Sequence, residues 1–475
     1  MDAKRTKNGM SRREFLLRTG CVVGAGALAG CAAPTPQIIK ETVEVEKTVV
    51  VEKEVEVLVE VTPEPAVLEP ATLNVWINWS GTYQEAIQQI AVSFTTKYPQ
   101  IEVEILPSIM GAEGMTKFLA SVAGGNPPDL YTTHANDGGM LTSKDILLPL
   151  DGYLETSRVS ADQFFKEQLD LYVRDSKIYG LPSIEGAAGQ AICWNKAHFA
   201  EVGLDPDQGP KTHDEISEWA EMLDQFDEAG NIVRLGFDPR DGRGWSLLDW
   251  WFDRNWYDPE THKLTIDRPD MVWGAEWVAG FAKRIGPEKM SAYRQTYTTY
   301  THRPTSSFGN GVQSMHMGGY YVPLQIAKQW PDLDIGYTWV PTLDGKKVTT
   351  MRGWFWVMPR GCPNPDAAWK FIEHATSVEA SFTLFNIAGS YPSYKPFLEK
   401  ADFSAHPGLQ WFVNSAAAAD EIYFYPQLPL SSDEVDDRIN SGLDEMSFGT
   451  ISGQEMLTRI QGEVQTLIDQ AVAAQ

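Results

Sequence analysis

Leu73-Asn74-Val75-Trp76-Ile77 is a short apolar run, and the spacing of the apolar residues after it decides the fold. From Tyr83 to Tyr98 the apolar residues Ile87, Ile90, Ala91 and Phe94 recur at helical spacing, until Tyr98-Pro99 stops the helix. Ile101-Glu102-Val103-Glu104-Ile105 then alternates strictly, as a half-buried strand does. Strand, helix and strand in that order predict a βαβ unit. Further along, Pro127-Pro128 lead into a strand over Asp129 to Thr133, and Gln190 to Trp194 reads as a buried strand. Helices are predicted at Thr212 to Phe226, Pro269 to Arg284, Pro365 to Thr376 and Gly453 to Ala473. Pro365 stands behind the capping residue Asn364, and Ser452-Gly453-Gln454-Glu455 has capping-box spacing. Strands and helices interleave along the chain, which predicts an α/β fold with parallel sheets.

Ahead of this region lies a different kind of sequence. Ser11-Arg12-Arg13-Glu14-Phe15-Leu16-Leu17 resembles a twin-arginine export signal, and Leu28-Ala29-Gly30-Cys31 resembles a lipobox, whose cysteine carries lipid after cleavage. The apolar run Thr19 to Ala29 is far shorter than the roughly 20 residues that span a bilayer. Residues 1–30 are thus expected to be a signal peptide, and 31–70 a lipidated start and tether. From Glu41 to Pro65 a degenerate six-residue repeat alternates valine with glutamate. A lone ribbon has nothing to bury its valine face against, so a mostly extended tether is expected. About 40 residues reach on the order of 130 Å stretched, or about 35 Å as a flexible coil.

Composition narrows the function classes. The net charge is -25 over 475 residues, and removing the net +4 of residues 1–30 leaves about -29, so nucleic acid is an improbable partner. Of the four cysteines, Cys21 leaves with the signal and Cys31 takes lipid, so Cys193 and Cys362 remain, too few for a disulfide framework. The eight histidines never fall at helical two-ligand spacing, and no C-x-x-C, Walker A, G-x-S-x-G or calcium-loop motif occurs. Gly24 to Ala29 fits a degenerate dinucleotide fingerprint but lies in the signal peptide and follows no strand. No metal, cofactor or catalytic group is expected.

Leu73 to Gly81, Gly124 to Leu130, Tyr179 to Pro182, Trp194-Asn195-Lys196, Gly311 to Tyr321 and Gly353 to Lys370 are similar, in order and spacing, to the carbohydrate-type extracellular solute-binding proteins of ABC importers, family 1, maltodextrin-binding-protein-like. The resemblance covers Ala71 to Gln475. It implies a two-lobed periplasmic-binding-protein-like fold of type II, with the ligand in a cleft between lobes joined by a multi-crossing hinge. By analogy, residues 71–150 and 341–386 form lobe 1, and residues 151–340 and 387–475 form lobe 2. Such sheets bind ligands beyond the carboxyl ends of their strands.

The site is therefore sought in loops that follow strands. A pyranose offers an apolar C–H face and a rim of hydroxyls, so a receptor presents a flat aromatic with polar groups beside it. Trp79, with Ser80 and Gly81, follows the first strand and precedes a helix N-terminus. Trp76, inside the strand, reads as packing. His134, Asn136 and Asp137 match the family's polar sugar-binding loop, although its aromatic falls on Thr133 and its carboxylate on Asn136. A solvated Asn-Asp-Gly-Gly turn is the competing reading. Tyr321, beside Tyr320 after Gly318-Gly319, takes the place of a stacking aromatic, and the glycines would admit close backbone approach to a ligand. Trp354 sits at a similar turn. Glu185, Tyr391 and Trp250 complete the candidate set.

The expected function is a lipid-anchored receptor on the extracytoplasmic face, monomeric, that hands a sugar or oligosaccharide to an ABC permease without making or breaking a bond. A receptor for a polyamine or phosphodiester is the alternative, and a secreted glycoside hydrolase a further one.

Overall fold

The computed structural model describes residues 9–11, 68–108, 111–182, 184, 189–242, 251, 254–351, 353–390, 392–404 and 406–474. Arg12, Arg13, Cys31, the valine-glutamate repeat, Glu185, Trp250 and Tyr391 lie outside them. From residue 68 on, the chain runs through β1 (Ala71–Ile77), α1 (Thr82–Lys97), β2 (Ile101–Pro107), α2 (Ala112–Ala123) and β3 (Leu130–His134). Leu73, Val75 and Ile77 alternate inward along β1 and are fully buried, each worth about 1.5–3 kcal/mol. α1 lays Ile87, Ile90, Ala91 and Phe94 on the same core. Trp76 points to the opposite face, where the Lys117 ammonium sits 4.8 Å from its ring.

Two further stretches complete this sheet, β4 (Gly180–Pro182) early in the chain and a late return strand. Between them come β5 (Gln190–Asn195), α3 (Pro269–Ile285), β6 (Met315–Gly319), α4 (Val322–Gln329), β7 (Ile335–Thr338) and β8 (Val348–Thr350). The return strand is β9 (Trp354–Val357), followed by α5 (Pro365–Ala375), α6 (Val378–Ala388), β10 (Glu421–Tyr423), α7 (Asp433–Ser447) and α8 (Gly453–Ala473). The first sheet has the order β2-β1-β3-β9-β4. β1 runs parallel to β2 and β3, whereas β9 is antiparallel to β3 and β4. The second sheet, β6-β5-β7, is antiparallel throughout. Parallel pairing thus holds for the opening βαβ units, where helices supply the crossovers, and gives way where the chain returns to a sheet from elsewhere.

β4 falls within the 151–340 stretch, yet it is an edge strand of the first sheet. The chain leaves that sheet after Pro182, builds the second sheet, and comes back after Thr338. In a third sheet β8 and β10 pair in parallel, Thr350 opposite Tyr423, and Gly9–Ser11 pairs antiparallel with the other edge of β10. On one face of the second sheet Ile192, Trp194, Met315 and Met317 join α3, α7 and α8 in a single core. The result is a two-lobed α/β fold. Cys193 and Cys362 are buried free thiols.

Two local expectations resolve differently. α8 begins with the predicted capping box, since Ser452 and Glu455 cap each other's backbone. Asn364 does not cap α5; its side chain donates to Asp129 Oδ1 at 3.1 Å, and its backbone N–H reaches the same oxygen at 2.9 Å. The amide ties the helix to the start of β3 instead.

Candidate ligand-binding site

The carboxyl ends of β1 and β3 and the first residue of β9 lie side by side, because Trp354 is registered opposite His134 and Trp76 opposite Tyr131. Asn78 fixes the turn after β1: its N–H donates to Thr132 Oγ1 at 3.0 Å and its side-chain amide to the Thr132 carbonyl at 2.5 Å. Trp79 is thereby held over the strand ends. Its ring stacks on Tyr83, with 4.2 Å between centroids and 18° between planes, and meets Trp354 edge-on at 5.0 Å. Trp354 in turn meets His134 edge-on at 5.3 Å. Gly81, at φ 66°, makes the tight entry into α1 that brings Tyr83 beneath Trp79.

The segment around His302 and α4 cover this aromatic group. His302 packs edge-on against Tyr83 at 5.6 Å and against Trp79 at 6.4 Å, and Gln325 of α4 donates to the Tyr83 hydroxyl at 3.5 Å. With the lobes in contact, Trp79 and Trp354 are each 7% exposed and Tyr83 1%. Trp79 Nε1 is buried with no hydrogen-bond partner among the described residues, and both amide atoms of Asn136 share that condition. Buried polar atoms ordinarily have partners, so these three are suited to a polar guest.

The 135–137 turn is not solvated. Ala135, Asn136 and Asp137 are all buried, and the Asn136 N–H donates to His134 Nδ1 at 3.3 Å. Asp137 is directed away from the aromatic group, toward the head of α7. Burial, and next the charge of Asp433, push its carboxyl up to about 7, against the opposing pull of the Ser432 backbone and the Thr133 and Ser431 hydroxyls.

Tyr320 and Tyr321 lie between β6 of the second sheet and the start of α4. The Tyr320 hydroxyl shares a hydrogen bond with Ser390 Oγ at 3.2 Å, and the two tyrosine rings meet edge-on at 5.8 Å. In the direction a side chain would take, the glycines before them already meet neighbouring side chains. A Cβ on Gly318 would stand 2.5 Å from Val322 Cγ2, and one on Gly319 2.8 Å from Tyr321 Cε1. Ser80 is exposed at the rim. The structure therefore brings together Trp79, His134 and Trp354, with Asn136 beside them, while Tyr320 shares their apolar core and Tyr321 packs against it. Tyr83, His302 and Gln325 join the group without having been singled out in the sequence. Tyr83 follows Trp79 by one helical turn, a spacing that signals the pair once the helix start is known. No local signal marks His302. Among the described residues no cluster of three or more His, Cys, Asp or Glu is placed to hold a metal, and no helix is long and apolar enough to cross a membrane.

Two α/β lobes with an aromatic, incompletely hydrogen-bonded group between them define a two-lobed solute-binding fold. The chain belongs to the bacterial extracellular solute-binding protein family, whose model matches residues 89–410. It is 22% identical over 377 residues to the maltotriose-binding protein of Pyrococcus abyssi (strain GE5 / Orsay), covering 75% of this chain and 73% of that one. Among solved structures, CpMnBP1 with mannobiose bound superposes with a TM-score of 0.71 at 22% identity, covering 83% of this chain and all of that one. UgpB from Mycobacterium tuberculosis in complex with glycerophosphocholine superposes with a TM-score of 0.66 at 17% identity, covering 84% and 99% of the two chains.

Proposed function

We propose that this chain is the substrate-capturing receptor of an ABC importer, held at the extracytoplasmic face by lipid on Cys31, and that its ligand is a sugar or short oligosaccharide. One observation carries the reading. Trp79, Tyr83 and Trp354 form an aromatic wall at the strand ends of one lobe, and the buried Trp79 N–H beside it lacks a partner among the described residues. A pyranose C–H face suits the wall, and a ring hydroxyl suits the N–H and the Asn136 amide. The second lobe, with His302 and Gln325, closes over the bound ring and shifts an open population to the closed one. In that form the receptor is recognised by its permease. The similarity to sugar-binding relatives supports the same class of ligand.

The test is a thermal-shift screen of the purified protein over mono- and oligosaccharides, followed by calorimetry of the hits. Stoichiometric binding with the sugar recovered intact supports the receptor. Turnover of the sugar points to a hydrolase, and silence across the sugars overturns the carbohydrate reading. A second reading is a glycerophosphodiester receptor, favoured by the fold shared with the glycerophosphocholine-bound UgpB. An aromatic wall also accepts a quaternary ammonium face-on. Glycerophosphocholine in the same screen separates the two.

A further inference from the structure

The 135–139 turn of the first lobe is fastened to the segment that enters α7 in the second. Gly139 N–H donates to Gln427 Oε1 at 2.8 Å, and Gln427 Nε2 donates back to the Ala135 carbonyl at 3.2 Å. The two backbones touch because the turn has no side chains in the way. A Cβ on Gly138 would lie 2.9 Å from Gln427 Oε1, and one on Gly139 2.8 Å from the Leu428 carbonyl oxygen. Asp137 sits inside this junction with Oδ1 unpartnered among the described residues, while Thr133 Oγ1 donates to Oδ2 at 3.4 Å.

Its few donors, the Ser432 backbone and the Thr133 and Ser431 hydroxyls, are outweighed by burial and by the charge of Asp433. From β3 it faces Tyr131 and Thr133, from the turn before residue 173 Tyr172, and from the head of α7 Asp433, with Ser431 and Ser432 beside it. His134, on its own element, turns Nδ1 to the Asn136 N–H. The only formal charge among these neighbours is another carboxylate. Tyr131 and Tyr172 both have their phenols pushed upward, chiefly by burial and in part by Asp137.

We propose that Asp137 is a proton-sensitive latch between the lobes: closure buries its carboxyl against Ser431, Ser432 and Asp433 and takes up a proton, so that closing weakens as pH rises. The proposal rests on the lobe-closure reading above but not on the identity of the ligand. When the lobes part, the 427–433 segment withdraws and water reaches the carboxyl, which returns toward its ordinary value of 3.8, from about 7 in the closed form. Between those values the closed form holds more protons than the open one. The closed-to-open ratio therefore falls with rising pH across that window, by at most about tenfold per pH unit, and is flat above it. A receptor near an acidified surface would grip its solute more firmly than one in neutral medium.

Solution scattering of the full chain without ligand, from pH 4.5 to pH 8, tests this. The radius of gyration should grow as pH rises toward about 7 and then level off. Asp137→Asn, a neutral shape-mimic of the protonated acid, should stay compact throughout. Asp433→Asn removes the like charge and should move the expansion to lower pH. An expansion in Asp137→Asn that follows the parent's, or a parent that never expands, overturns the latch. Should Asp137→Asn fail to fold, as judged by circular dichroism, an unchanged midpoint in Asp433→Asn overturns it equally. If no sugar binds in calorimetry while the pH profile holds, the carbohydrate reading falls and the latch stands.

Discussion

Trp79 and Trp354 meet edge-to-face, 5.0 Å between ring centroids with 62° between planes, although one follows the first strand of the domain and the other opens the return strand. Their meeting is set by sheet order. β3 lies between β1 and β9, so the turn after β1 and the start of β9 bracket the end of β3. The pair presents a flat face and an edge together, and Tyr83 supports the flat one from below.

Removing one wall of this group should therefore cost binding. Trp79→Ala and Trp354→Ala are each expected to weaken the best sugar of the screen by about 1–3 kcal/mol, or roughly 5- to 150-fold. Trp79→Phe keeps a face for stacking and should retain most of the affinity while losing the N–H. Normal affinity in both alanine variants, read by calorimetry, would place the ligand elsewhere.

Core tryptophans should behave oppositely. Trp251 is fully buried and its Nε1–H donates to the Pro239 carbonyl at 2.8 Å. Trp251→Ala leaves a cavity and an unmet carbonyl, with an expected loss of about 3–5 kcal/mol in unfolding free energy. Chemical denaturation measures that loss, and sugar affinity per folded molecule should stay within about twofold of the parent.

Asp238 and Arg294 form a two-pronged pair, with bonds of 2.7 and 2.8 Å. Burial alone would raise the Asp238 carboxyl, but the Arg294 guanidinium, helped by Arg240, outweighs it and holds the group below its ordinary value of 3.8. A folded-state value lowered in this way adds stability that is complete above 3.8 and is lost as pH falls through the lowered value. Arg294→Met removes the partner and strands a buried charge, with an expected cost of about 3–5 kcal/mol near neutral pH. Its melting temperature should fall well below the parent's at pH 7, and the gap should narrow as pH falls, beginning above 3.8, because the buried Asp238 protonates sooner in the variant than in the parent.

The anchor is tested without reference to the cleft. Cys31→Ala should leave the protein unlipidated and out of the membrane fraction, and Arg12→Lys with Arg13→Lys should block its export. A Cys31→Ala protein that fractionates with membranes as the parent does would overturn the lipoprotein reading.

The opening βαβ unit is legible in the amino-acid sequence alone, because the period of its apolar residues is a local property that burial enforces at once. Trp79, His134 and Trp354 stand out in the same way, since each follows, ends or begins a strand, and strand ends are visible as breaks in that period. Which aromatics share a space, and which way the polar residues face, is settled by tertiary packing. Tyr83 reads as one more inward helix residue until Gly81 turns α1 beneath Trp79. Tyr321 matches the turn expected of a stacking residue, and the fold places it with Tyr320 at the head of α4, against the core that holds Trp79 and Trp354. Asp137 has the spacing of a solvated turn, but the approach of Gln427, Ser431 and Ser432, nearly three hundred residues further along the chain, buries it. Spacing along a chain fixes which side of a strand or helix a residue takes; the dielectric and the partners it meets there come from segments remote in sequence, and only folding brings them together.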